Sequence, residues 1–545
     1  VEVSFDTFFS SRWDDQTRFS VNPLGTPSAR SSGGRAAKRE WQGDWQAAAR
    51  RLPDGWSVEM RIPWRMLNYP NSSTPVTMGI NFRRFQHRTR INSIWSNTGP
   101  QRFLDLQGRW VGVRPPQRAF APEVSALPYV LAGLERGTGH LRSGLDVRAL
   151  LTPELTSVVT VNPDFGTVEG AVEGIQFSRS ERFVEERRPF FLEGRGYFQA
   201  GQWFGAGPYF YPNRIRAMDL GAKIFGKLSP RDSLGLLATA DFGREANAVV
   251  NYRHTYLPTA SFGAFFTQKS TPGLSNTVLV GSHDRRWGKL GVSTDAGVSA
   301  GHEAGGAVYE VGVRYEDKVN FSVIRALSVA EDFLDANGFV YFTDMRGFDF
   351  HHSWGSPWRS GFFRGFEVSG GGQYKWHMDG RPYMRGGSLG ASIETRSDWA
   401  FSLSYDGSRF DDAADETIGG RIIWGESNRF RRVSIGGRVG RLDSRPASFY
   451  GIGMSFRLLR RLDVAYSANV QNLDGSEQLH IATFTYELSP TRSIGGRVVK
   501  HDSNTNWYLS YRHSGDRGTE TYILLGDPNA SRFREQAVVK MVFAL

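Results

Sequence analysis

The chain has no cysteine. That excludes disulfide staples and thiol chemistry, and it fits an exported protein, where a stray thiol is a liability. A second absence is of long apolar runs. No segment approaches the ~20 apolar residues that a membrane helix needs, and the mean hydropathy is only -0.40, so a helical membrane protein is excluded. No Walker, dinucleotide-binding or zinc pattern is present, and no cofactor or metal is expected. There is also no signal peptide at Val1. The sequence opens directly on the strand-like VEVSFDTFF, so a signal, and part of a first domain, are expected upstream.

What the chain does have is glycine and aromatic residues: 62 Gly, 38 Phe, 19 Tyr and 15 Trp in 545 residues. Rich in both, polar on average and without long apolar runs, this is the composition of transmembrane β-barrels. The patterning agrees. Tyr450, Ile452, Met454, Phe456 and Leu458 alternate with Gly451, Gly453, Ser455 and Arg457. Leu462, Val464, Tyr466, Ala468 and Val470 alternate with polar or small residues in the next segment, and Trp507, Leu509 and Tyr511 further on. Period two sustained over about ten residues and repeated reads as strands with lipid on one side and a lumen on the other. Ala537, Val539, Met541, Phe543 and Leu545 continue it to the last residue, like the C-terminal signal read by the outer-membrane assembly machinery. Turn spacing predicts roughly 20–26 strands, an even number. Short turns at Leu151–Pro153, Leu228–Pro230, Leu459–Arg461 and Leu488–Pro490 are expected to alternate with longer outer loops such as Asp411–Glu416 and Asn472–Ser476.

The net charge of +11 raises nucleic-acid binding, but the arginines are scattered through alternating strands and not gathered on one helix or arm. An Arg-lined lumen, or loops facing anionic lipopolysaccharide, accounts for them better. No nucleic-acid partner is expected. Gly297-Val298-Ser299-Ala300-Gly301 matches the hydrolase G-x-S-x-G pattern. That motif requires a strand-to-helix elbow, and here it closes a strand and runs into a Gly-rich loop. No catalytic residue is assigned.

Residues 1–118 read as a separate unit of short strands and turns, a partial β-sandwich. Trp56 and Trp95 fit its core; Trp41 and Trp45, in polar context, are the candidate ligand-stacking aromatics. Residues 119–545 read as the barrel.

The stretch from Thr160 to Phe198 differs from everything around it. Asn162-Pro163-Asp164 is a turn signal, and from Asp164 on there are seven acids and five arginines interleaved with Phe177, Phe183, Phe190, Phe191 and Phe198. Aromatic anchors among charges of both signs suit a segment folded into a polar, enclosed space. Residues 162–217 are therefore assigned as a plug inside the barrel, with Asn162, Asp164, Glu169, Glu181, Glu185, Arg187, Arg188, Phe190, Phe191 and Glu193 as its motif. Two of its carboxylates could form a glycosidase-type acid/base pair. The interleaved arginines favour instead an ion-pair network that pins the plug to the wall.

NPDFGTVE followed by ERFVEERRPFFLEG resembles the signature of the DUF5916 family. It departs at Gly170-Ala171-Val172, where that family has an acidic residue and a proline. The strings FSVNPLG, W-x-x-E-x-x-I-P-W and GINFRR resemble the second half of a family 9 carbohydrate-binding module. The resemblance implies an all-β protein of the Gram-negative outer membrane: a large transmembrane antiparallel β-barrel after a periplasmic sandwich. Expected contacts are membrane lipid, lipopolysaccharide and the assembly machinery. The functional expectation is passage or recognition of a solute, with an oligosaccharide favoured through the resemblance. The alternatives are a barrel-anchored carbohydrate-binding protein or glycoside hydrolase, and a scaffold for a protein partner.

Overall fold

A computed structural model of the chain describes residues 1–13, 15–30, 32, 45–86, 91–99, 103–117, 122–200, 207–302, 305–358, 360–489, 491–515 and 519–545. Trp41 lies outside them.

From Glu123 onward, 24 antiparallel strands follow one another, each hydrogen-bonded to the next. The last, Gln536–Val542, pairs with the first, Glu123–Glu135, in the register Gln536↔Glu135 to Val542↔Tyr129. The sheet has no free edge, which removes the unpaired backbone groups that would template aggregation. Strands run from 6 residues (Glu520–Leu525) to 14 (Leu274–Trp287). A twelve-residue strand tilted by about 40° rises about 30 Å along a barrel axis, the thickness of a bilayer's hydrocarbon core.

Alternation decides the two faces. Leu141, Leu389, Leu403, Ile435 and Tyr450 point outward and are exposed. Their neighbours Arg142, Ser388, Ser404, Ser434 and Gly451 face the interior. Trp287, Trp354, Trp399 and Trp424 stand near the strand ends on the N-terminal side of the barrel, and Trp376 and Trp507 near the opposite ends. Aromatic girdles of this kind flank the apolar band of membrane barrels.

The expected alternation of short and long turns is not observed. Asp411–Glu416 contains only a two-residue turn, because the strand resumes at Ala413, and Asn472–Ser476 contains only residues 473–475. Asp411 and Asp474 adopt positive φ, the tight-turn conformation that Asp tolerates. Polarity there marks turn chemistry and not length. The three longest connections, residues 162–219, 330–344 and 526–535, lie at one end of the barrel.

The N-terminal unit sits at the other end. Strands Pro27–Arg30, Thr17–Val21, Glu2–Asp6, Val76–Gln86, Ile91–Ile94 and Gly108–Val113 form one sheet, and Gln46–Leu52 with Gly55–Arg61 form a hairpin. Hairpin residue Met60, with Ile62 just beyond it, packs on Phe5, Phe19 and Met78 of the sheet, giving two layers over one core. Trp45 belongs to that core, edge-on to Phe19 with ring centroids 5.1 Å apart. Trp95, expected inside, is 62% exposed. The loop around Asp15 reaches into the barrel: Asp15 accepts an ion pair from wall residue Lys227 at 2.6 Å, with both side chains at most 2% exposed.

Candidate functional site

The insert leaves the wall at Asn162, whose φ of +48° turns the chain sharply. Three bonds fix that corner. The Asn162 side-chain amide donates to the Ser143 carbonyl, its backbone N–H donates to Asp219, and its carbonyl accepts from the Tyr129 hydroxyl. The segment then crosses the lumen as irregular chain, and most of its charged groups are met by the wall or by the insert itself, as enclosed polar groups require.

The acids pair one by one with cations. Asp164 accepts from Lys540 at 2.7 Å and from the Thr167 hydroxyl. Glu169 accepts from Arg497 at 2.7 Å and from the Tyr508 hydroxyl at 2.5 Å, with Arg187 at 3.7 Å. Glu181 is bidentate with Arg214, at 2.5 and 3.1 Å. Glu193, buried, accepts from Arg148 at 2.9 Å. Charge also runs the other way, since Arg179 of the insert donates to wall acids Asp415 at 2.7 Å and Asp443 at 3.1 Å. Arg188 binds Glu186 at 2.6 Å and the Pro212 carbonyl at 2.8 Å, and lies over the rings of Phe165 and Phe191. Glu185 alone of the motif has no ion-pair or hydrogen-bond partner among the described residues.

This is a tethering network. A glycosidase acid must be held neutral by a raised pKa. Burial pushes the Asp164 carboxyl up, but Lys540 and Thr167 pull it below the ordinary carboxylate value. Ser299 of the G-x-S-x-G string is buried on a wall strand, where its hydroxyl donates to the Gly306 carbonyl and accepts from the Leu334 N–H. Among the described residues it hydrogen-bonds to no histidine or carboxylate, and no helix follows it.

The second half of the insert is held by apolar packing. Phe190 and Phe191, on the single helical turn Pro189–Leu192, join Tyr197, Phe198, Tyr209 and Ile215 against inward residues Phe225, Leu237, Val249 and Phe265. Two supports were not singled out from the sequence. Lys223, an inward wall lysine, is buried and donates to the carbonyls of Phe190 and Glu193, capping that turn. Its signal was a lysine set between apolar residues, Ala222 and Ile224, in the strand Leu220–Lys227. The other support is the 330–344 connection, which folds back over the insert. Phe333 and Phe339 are buried there, and Asn337 donates to Thr267 and accepts from the Tyr211 N–H. On the same loop, burial pushes the Asp335 carboxyl up to about 8, against opposing hydrogen bonds from Asn337 and Gly338.

The insert does not fill the lumen. A cup of about 870 Å³ lies at the long-loop end, between the charged stretch of the insert and wall residues Asp241, Glu245 and Lys269. Glu181, Glu185, Arg187 and Arg188 all line it. A chamber of about 600 Å³ lies at the N-terminal end, between Arg12, Trp13 and Asp105 and the wall. A groove of about 350 Å³ runs along the wall beside Phe177, between strands from Trp399 to Asn472.

No family model and no curated protein matches the sequence. Solved structures do. The siderophore receptor PirA from Pseudomonas aeruginosa matches with 7% identity over 79% of this chain and 81% of its own, at a TM-score of 0.40. The copper transporter OprC matches with 9% identity over 81% and 84%, at 0.39. OprD of Pseudomonas aeruginosa matches with 9% identity over 78% and 95%, at 0.31.

Proposed function

We propose that the protein is an outer-membrane β-barrel for passage or recognition of a solute at the cell surface, with its N-terminal unit in the periplasm. The observation that carries this reading is the lumen. An ion-paired insert crosses it and leaves a polar groove and a charged cup unfilled. A pure anchor has no need of such spaces, and a lumen is where a barrel's selectivity resides. The three long connections at one end support this orientation, since outer-membrane barrels carry short periplasmic turns and longer outer loops. The resemblance to the DUF5916 family, and an oligosaccharide as the solute, belong to this proposal.

The test is liposome swelling with the full chain and with a variant in which residues 165–214 are replaced by a short Gly/Ser turn. The expected result is slow, size-limited solute flux for the full chain and at least tenfold faster flux for the variant. Equal, negligible flux from both would sink the passage reading, and a stable co-purifying protein would then favour the scaffold.

A second reading has its own observation. Trp95 is exposed on the N-terminal unit, edge-on to the ring of Phe82 at 5.8 Å. Aromatic faces of that kind stack on sugars in carbohydrate-binding modules. Glycan-array binding lost on Trp95→Ala but kept on Trp45→Phe would support a carbohydrate-binding role for that unit.

A further inference from the structure

The groove beside Phe177 has a charge pattern found in no other cavity described above. The cup and the lower chamber are lined by acids and bases together. The groove is lined by two charged side chains, Arg421 and Arg438, and by no carboxylate. Neither arginine has an ion-pair or hydrogen-bond partner among the described residues. The other inward arginines of this wall region are paired: Arg432 with Glu426 at 3.0 Å, Arg457 with Asp463 at 2.5 Å, and Arg497 with Glu169 at 2.7 Å. Asp415 is committed to Arg179 and Glu394 to Arg364, and Asp406, inward on the strand of Ser404, does not line the groove.

The strand register explains how the two guanidiniums reach the lumen. Arg421 lies across from Gly436, and Arg438 across from Gly419, on the neighbouring strands Ala413–Trp424 and Arg431–Leu442. A Cβ at Gly436 would stand 3.3 Å from the Arg421 stem. With glycine at both positions each arginine lies against bare backbone. The polar part of the remaining lining is hydroxyls and amides, among them Ser404, Ser434, Asn469 and Gln471; glycine backbone, Leu442, Ile452 and the rings of Phe177 and Phe449 complete it. Gly451 leaves room for the Phe449 ring, 3.5 Å from where its Cβ would be.

Guanidinium forks match carboxylate and phosphate oxygens. Hydroxyls and amides match sugar hydroxyls, and ring faces match the apolar side of a pyranose. We infer that this groove is a binding track for an acidic saccharide, with Arg421 and Arg438 as the residues that select its anionic groups. The inference rests on the reading of the barrel as a solute-handling protein and names the class of solute.

The experiment uses the full chain with tetragalacturonate as the acidic probe and maltotetraose as the neutral one. Binding is measured by equilibrium dialysis in detergent, and flux in liposomes. The Arg421→Gln/Arg438→Gln variant should keep its heat-modifiable migration, because both side chains are exposed to the lumen. Tetragalacturonate affinity should fall at least tenfold in the variant, with maltotetraose unchanged. No preference for tetragalacturonate over maltotetraose in the wild type, or equal affinities in wild type and variant, would overturn the inference. Selective binding without flux would keep the site and sink passage, so the two readings fail separately.

Discussion

At the scale of single residues, the lumen rests on a few enclosed charges. Asp164 and Lys540 are the clearest pair, with Asp164 almost fully buried. Asp164→Asn strands the lysine, and breaking one side of a buried pair costs about 3–5 kcal/mol. The expected readout is faster proteolysis of the 170–190 segment, with much of the protection restored in Asp164→Asn/Lys540→Met. Because the Asp164 carboxyl is held below its ordinary value, its contribution is present above about pH 4 and lost as pH falls below that. Protease protection of the insert should weaken in the same window. Asp335 has the opposite sign. Its carboxyl is raised to about 8, so holding it neutral imposes a penalty that grows as pH rises from about 4 to about 8. Asp335→Asn should raise the melting temperature at pH 8 and leave it nearly unchanged at pH 4. An equal shift at both would show that burial of that charge is not the cause.

Elements show what the sequence discloses and what it hides. The strands from Tyr450 and Leu462 were legible because one face meets lipid and the other water, so period two survives intact. The insert was legible as an insert because charges and phenylalanines crowd it without any period. Its partners were not. Nothing local in Lys540, Arg497 or Asp415 says which acid or base of the insert each will meet across hundreds of residues. Trp95 was misjudged for a related reason. A tryptophan's size argues for burial, but only the sheet's packing decides which face of its strand is covered. The 330–344 loop was missed because its phenylalanines look like an ordinary outer loop until the insert is in place beneath them. Docking of the N-terminal unit is also an element-scale matter. The Tyr197 hydroxyl of the insert reaches Asp15 at 3.3 Å, and Lys227 of the wall pairs with the same carboxylate. Lys227→Met should free the N-terminal unit to rapid cleavage in the 114–122 segment during limited proteolysis, whereas Asp15→Asn/Lys227→Met should be much slower to cut.

For the whole molecule, the outer belt governs. Ile435 faces outward midway along its strand, and Ser434 beside it faces the lumen. An arginine at position 435 should cost about 2–4 kcal/mol in lipid, while an arginine at 434 should fold normally and act only within the lumen, on flux and on binding in the groove. Urea titrations of the two variants in lipid vesicles check this, and equal destabilisation would contradict the assignment of faces.

The corner at Asn162 touches Tyr129 on the first barrel strand, and Asp164 two residues later touches Lys540 on the last. The insert therefore grips both lips of the seam. During biogenesis the cylinder cannot zip shut around an unfolded passenger without leaving Tyr129 and Lys540 unsatisfied. Cargo and container have to mature together, and a folding intermediate captured before closure should already carry the 162–170 segment in its native place.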